Sequence, residues 1–116
     1  MHKKRRLRSS ADFQRVRRKG RTSAHPLLVL STLANGLEYS RFGFVVGKRI
    51  GKAVLRNRTK RRMRESVRMR VRAGEVAAGW DVVLIARYPI QNASFGQVDE
   101  AVGLLLRRVG LLEARQ

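Results

Sequence analysis

Apolar positions first take on a helical spacing at Phe13 and Val16, set among Arg15, Arg17, Arg18 and Lys19. That spacing predicts a short helix over Ser10 to Lys19 with one apolar edge. Ser9 and Asp12 supply a capping-box-like start, and Gly20 supplies a stop. After a short strand near 21–24, the run from Leu27 to Leu33 is compact, apolar and rich in β-compatible residues, and Asn35-Gly36 reads as a turn. From Arg41 to Val46 the pattern alternates, with Phe42, Phe44 and Val46 on one face and Gly43 and Val45 on the other. Two such runs flanking a short polar loop are expected to pair antiparallel.

At Ala53 the period changes from two to nearly four. Leu55, Thr59, Met63, Val67 and Val71 fall on one side of an amphipathic helix from Ala53 to Arg72. Gly47 and Gly51 permit the turn that leads into it, and Gly74 is placed to close it as a left-handed cap. Its narrow apolar row should dock on a sheet. Trp80 to Ala86 is apolar with almost no alternation, which suits a strand interior to the sheet. Ser94 and Gln97 then form a capping box ahead of a closing helix striped by Phe95, Val98, Val102, Leu105 and Val109. The order is α-β-β-β-α-β-α, an α/β (α+β) two-layer sandwich, and the general rule makes its β-α-β crossover right-handed.

A chain of 116 residues suits one domain, 1–116, with residues 1–8 expected to form a flexible basic arm. Charge sharpens this picture. Residues 1–72 hold 23 Lys+Arg against 3 Asp+Glu, whereas residues 73–116 hold 4 against 5. A polyanionic partner is therefore expected on surfaces built by the first two thirds. Nucleic acid fits better than an acidic membrane, because the basic helix has a polar face far wider than its apolar row. No stretch approaches the roughly eighteen apolar residues of a membrane helix, and the absence of cysteine suits a reducing cytoplasm.

Catalytic chemistry is not expected within the chain. Its eight acids are scattered, and the one adjacent pair, Asp99 and Glu100, points about 100° apart on a helix, so metal ligands are not expected. His2 and His25 have no nearby acid–base partner, and Gly47 and Gly51 lack the spacing of a phosphate loop. The densest feature is Arg56 to Arg64, with six cations in nine positions and no acid. Like charges at Arg58/Arg62, Lys60/Arg64 and Arg64/Arg68 repel along the helix, a cost that phosphates would offset. Arginine forks suit paired phosphate contacts, Lys60 acts as a point charge, and Asn57 either reads a base or 2′-hydroxyl edge or caps local backbone.

The run from Ile50 through Ala53 to Arg56-Asn57-Arg58, then Lys60-Arg61 and Arg64, resembles the signature of the bacterial ribonuclease P protein subunit. Leu7-Arg8, Asp12-Phe13, Val16, Gly20, the strand Arg41 to Val46 and Ala86-Arg87 follow in that family's order. The resemblance implies a fold like the second domain of ribosomal protein S5, with a left-handed crossover against the general rule. It implies that a catalytic RNA carries out Mg²⁺-dependent removal of the 5′ leader from precursor tRNA, with no cofactor on protein side chains and no obligate protein partner. The RNA-subunit surface would comprise Lys48, Arg49, Lys52, Arg56, Asn57, Arg58, Lys60, Arg61, Arg62, Arg64 and Arg68. The leader would lie in a cleft between the first helix and the exposed sheet face, against Phe13, Arg15, Arg17, Val29 and Ser31. Arg17 and Ser31 stand where some relatives have aromatics, so charge and sheet shape would replace base stacking there. A structural RNA-binding protein of ribosomal type fits composition and fold equally and predicts no stimulation of cleavage.

Overall fold

The computed structural model describes residues 3–112. Its main elements are α1 (Ser10–Lys19), β1 (Arg21–Ala24), β2 (Leu28–Ala34), β3 (Arg41–Val45), α2 (Ala53–Arg72), β4 (Trp80–Ala86) and α3 (Phe95–Arg108), with 3₁₀ turns at Lys3–Arg5, Lys48–Ile50 and Tyr88–Asn92. Local signals set most boundaries. The Ser9 hydroxyl accepts from the Ala11 and Asp12 amides, Ser94 and Gln97 close a full capping box, and Gly74 takes φ 72° just past α2.

The sheet order is β1-β2-β4-β3, antiparallel except for the parallel β3/β4 pair. β2 and β3 therefore do not form the expected hairpin pair; β4 enters between them. Asp81, Val82, Val83 and Leu84 are all buried, and a strand covered on both faces is poorly placed at an edge. Interior placement of β4 wins over the short connection between β2 and β3, and α2 makes the crossover that a parallel β3/β4 pair needs.

Leu28, Leu30, Phe42, Val82 and Leu84 line one sheet face and pack with Met63 and Val67 of α2 and with Val98, Val102, Leu105 and Leu106 of α3. The apolar row of α2 thus docks on α3 as well as on the sheet. A polar seam joins the two helices: Ser66, fully buried, donates to Asp99 Oδ1 at 2.6 Å, and Arg70 donates to the same oxygen at 2.6 Å. Burial alone would push the Asp99 carboxyl up, but the Ser66 and Arg70 donors hold it below its ordinary value.

On the other sheet face, Leu7, Val16 and Val83 form a smaller core with Phe13, Leu33, Val45 and Ile85. α1 crosses this face. Residues 1 and 2 of the expected flexible arm lie outside the described residues, but the rest is docked rather than loose. The Leu7 amide donates to Phe42 O at 2.8 Å, Arg6 bridges Phe42 in parallel register, and Leu7 is 5% exposed. One apolar side chain in the basic run finds a pocket, and the open edge of β3 supplies an acceptor. Among the described residues, no helix is long and apolar enough to cross a membrane.

Candidate nucleic-acid interface

The loop leading into α2 is pinned by Ile50, 3% exposed, which leaves Lys48, Arg49 and Lys52 in solvent. Gly51 makes the turn at φ 141°, a backbone state that favours glycine. Helix geometry then sorts the cations of α2 by direction. Asn57, Arg58 and Arg61 are exposed, while Arg56, Lys60 and Arg64 are half-buried on the flank nearer β3. A hollow of about 200 Å³ opens there, lined by Val46, Ala53, Arg56, Asn57 and Lys60.

Two members of the expected surface are hydrogen-bonded within the chain. Arg62, on the opposite flank, donates to the Ala93 carbonyl at 2.8 Å, and Arg68 makes a forked pair with Glu65. Donation from Arg68 holds the Glu65 carboxyl low, and the same bond holds the Arg68 guanidinium high. The side chains of Lys48, Arg49, Lys52, Arg56, Arg58, Lys60 and Arg61 donate to no group among the described residues. Asn57 likewise bonds no backbone group among them, which removes the observation a local cap would need.

The candidate leader residues divide differently. Arg15 and Arg17 leave α1 on opposite flanks. Arg15 donates to Asp81 at 3.0 Å and pairs with Asp12 at 3.2 Å, whereas Arg17 is exposed and lines a shallow hollow with Gln14 and Arg18. Ser31 is 2% exposed and shares a 2.9 Å hydrogen bond with Thr22, so it supports the floor rather than meeting solvent. Val29 is half-buried opposite Ile85, which lies opposite Val45 in turn, and these three form an open apolar row beside Phe13. Val45 and Ile85 were absent from the expected cleft. The alternation along β3 was signal enough for Val45, but the unbroken apolar run of β4 concealed which face Ile85 takes.

Phe13 reaches this row because β3 carries no side chain beneath it. A Cβ on Gly43 would stand 2.4 Å from Phe13 Cε1 and 3.2 Å from Leu7 Cβ. Gly43→Ala is expected to cost about 1–3 kcal/mol by overpacking, with the Phe13 ring displaced. Thermal unfolding combined with the Phe13 ring-proton shifts checks this, and unchanged shifts would show that the ring does not rest on Gly43.

Asp81 holds α1 to the sheet. It is 1% exposed and accepts from Arg41 at 2.8 and 2.7 Å, Asn35 at 2.9 Å and Arg15. Burial would raise its pKa, but the Arg41 and Asn35 donors and the charges of Arg41 and Arg15 outweigh it and hold the carboxyl below its ordinary value. The Asp81 hydrogen bond pushes the Arg41 guanidinium up in turn, despite burial. Asp12, Glu65, Asp81 and Asp99 are thus all spent on arginines, a donor set suited to ion pairing rather than to a shared cation.

The Ribonuclease P family model matches residues 1–110. The chain is 45% identical over 109 residues to the ribonuclease P protein component of Roseiflexus castenholzii, covering 93% of this chain and 88% of that protein. It is 43% identical over 116 residues to that of Herpetosiphon aurantiacus, covering 100% and 93%. Among solved structures, an RNase P protein of Staphylococcus aureus superposes with TM-score 0.85 at 32% identity, covering 94% of this chain and 98% of that one. One from Thermotoga maritima superposes with TM-score 0.78 at 34% identity, covering 88% and 96%. With its sheet order, its basic helix and these relatives in agreement, the chain belongs to the ribonuclease P protein family.

Proposed function

We propose that the outward face of α2 and the loop before it bind the RNA subunit of ribonuclease P, and that Phe13, Arg17, Val29, Val45 and Ile85 receive the 5′ leader of precursor tRNA. The family role is to assist the ribonuclease P RNA in 5′ processing of tRNA. What carries the first assignment is the set of cations on and before α2 that donate to nothing within the chain among the described residues. All have their donors unspent, and Lys48, Arg49, Lys52, Arg58 and Arg61 are exposed, a condition that favours phosphate binding.

The second assignment rests on the open row of Val29, Ile85 and Val45, walled by Phe13 with Arg17 on the same flank of α1. Apolar floor and cationic rim suit a single strand, whose bases shed water while its phosphates find charge. Arg15, turned to Asp81, takes no part in this reading, and Ser31 acts through Thr22. Hydrolysis is assigned to Mg²⁺ held by the RNA subunit, since Asp12, Glu65, Asp81 and Asp99 are engaged by arginines and no cluster of acids among the described residues could hold a metal ion. Its place of work is the cytoplasm, where bacterial tRNA precursors are made.

The leader contributes binding to precursor and none to mature product, so it creates a difference in affinity between them. Cleavage of a leader-bearing precursor by a bacterial ribonuclease P RNA at low Mg²⁺ is expected to be strongly stimulated by the protein. Arg17→Gln should lower the preference for precursor over mature tRNA about threefold, as the loss of one exposed charged contact. Binding of the RNA subunit should stay intact in that variant. Tight RNA binding without stimulation would instead establish a purely structural RNA-binding protein.

A further inference from the structure

The geometry points to a phosphate site built by Arg6 and Arg64 at the β3 edge, which takes one backbone phosphate of the RNA subunit. This inference rests on the reading of α2 as the RNA-subunit face and adds to it a residue outside that helix.

Arg6 pairs with Phe42, and paired residues on neighbouring strands project to the same face. Phe42 projects into the core beneath α2, so Arg6 does too, while Leu7 turns to the α1 side. Phe44 lies two residues along β3 on that same face, and the Arg64 guanidinium stands 5.9 Å from its ring centroid. The sheet edge and the helix thus bring two guanidinium groups to one rim, with an aromatic floor under the second. Arg64 also continues the line of Arg56 and Lys60, one helical turn at a time.

Neither arginine has an ion-pair partner among the described residues. The Nε of each is buried and bonds to no acceptor among them. A buried donor without an acceptor is costly, and two like charges together add to that cost. Burial, and after it the charge of Arg6, presses the Arg64 guanidinium below its ordinary pKa. Arginine cannot escape by losing its proton at physiological pH. What satisfies both groups is an anion with several acceptor oxygens presented at once, which describes a phosphodiester.

The test uses the full chain and its Arg6→Gln, Arg64→Gln and double variants. In sodium chloride each single variant should unfold at the parental temperature or above, because repulsion is removed. In inorganic phosphate of equal ionic strength the parent should gain more than any variant, and the Leu7 amide should exchange more slowly. For the RNA subunit, each single change should weaken binding about tenfold. If both arginines hold one phosphate, the double variant should be only about threefold worse than either single. Additive losses would separate the two side chains and overturn the shared site. Stabilisation by inorganic phosphate with unaltered RNA affinity would give the site to free phosphate and overturn its assignment to RNA. Destabilisation of Arg6→Gln in chloride would show a structural role and overturn the site altogether. Arg58→Ala is the control: if it weakens RNA binding while the Arg6 and Arg64 variants do not, the shared site falls and the α2 reading stands. If none of them weakens binding, both fall.

Discussion

Replacing Asp81 with alanine is expected to lower the unfolding free energy by about 3 kcal/mol, the penalty for breaking a buried ion pair by removing one partner. The carboxylate is 1% exposed near the start of the interior strand β4, between Leu33 on β2 and Arg41 on β3. Its loss strands the Arg41 fork, leaves the Asn35 amide with the Tyr39 carbonyl alone, and releases Arg15 of α1 from the sheet. Both arginine side chains are partly exposed, at 26% and 41%, so water recovers some of the loss and the effect stays well short of a fully buried charge. For a domain of this size the fall in Tm should be roughly 10–15 °C. Acid supplies a second reading. A carboxyl whose pKa falls on folding contributes stability that is present above its unfolded value, about 3.9, and is lost as pH drops through the lower folded value. Calorimetry from pH 7 to pH 2 should therefore show a steeper decline below about pH 4 in the parent than in Asp81→Asn. Asp99 titrates in the same sense, so the difference between variant and parent isolates Asp81. Identical acid profiles would mean that α1 is held by its apolar contacts alone.

The parts of this fold that were legible in the sequence are those whose signals are local. The four-residue period of Leu55, Thr59, Met63, Val67 and Val71 set α2 because no other structure places those residues together, and caps within four positions set the ends of α1 and α3. Strand pairing is a different matter, since β2 finds β4 across some fifty residues. The sequence held two statements that conflict: a short polar connection favouring β2 beside β3, and an apolar β4 favouring the interior. Burial of β4 decided it. Buried polar groups were illegible for a related reason, because Asp81 and Ser66 look like surface residues until their partners, the arginines and Asp99, are in place. Within the site, the split between Arg15 and Arg17 was available from helix geometry: Arg17 stands four residues after Phe13 and shares its side, whereas Arg15 stands two after and cannot. Arg6 had no such signal. It is one cation in a basic run, and only docking of Leu7 against the β3 edge gives it a direction.

Replacing Arg58 and Arg61 together with alanine should weaken binding of the RNA subunit by about tenfold to a hundredfold near 0.1 M salt, with no loss of fold stability. Both side chains are exposed on the outward face of α2 and donate to nothing among the described residues, so the folded protein forfeits no contact. Alanine is also the better helix former, and removing Arg58 relieves its repulsion of Arg62 one turn on. Tm should hold or rise while affinity falls, a combination that a misfolded variant cannot mimic. The salt dependence carries the mechanism. Each neutralised phosphate adds roughly 0.7–0.9 to the slope of log K against log salt, so the double variant should be shallower by about 1.5 and the two proteins should converge at high salt. Lysine at both positions separates charge from geometry: it should keep the parental slope yet lose part of the affinity, because a point charge cannot make the forked contact. An unchanged slope in the alanine variant would remove the outward face of α2 from the RNA interface and leave its charge without a partner.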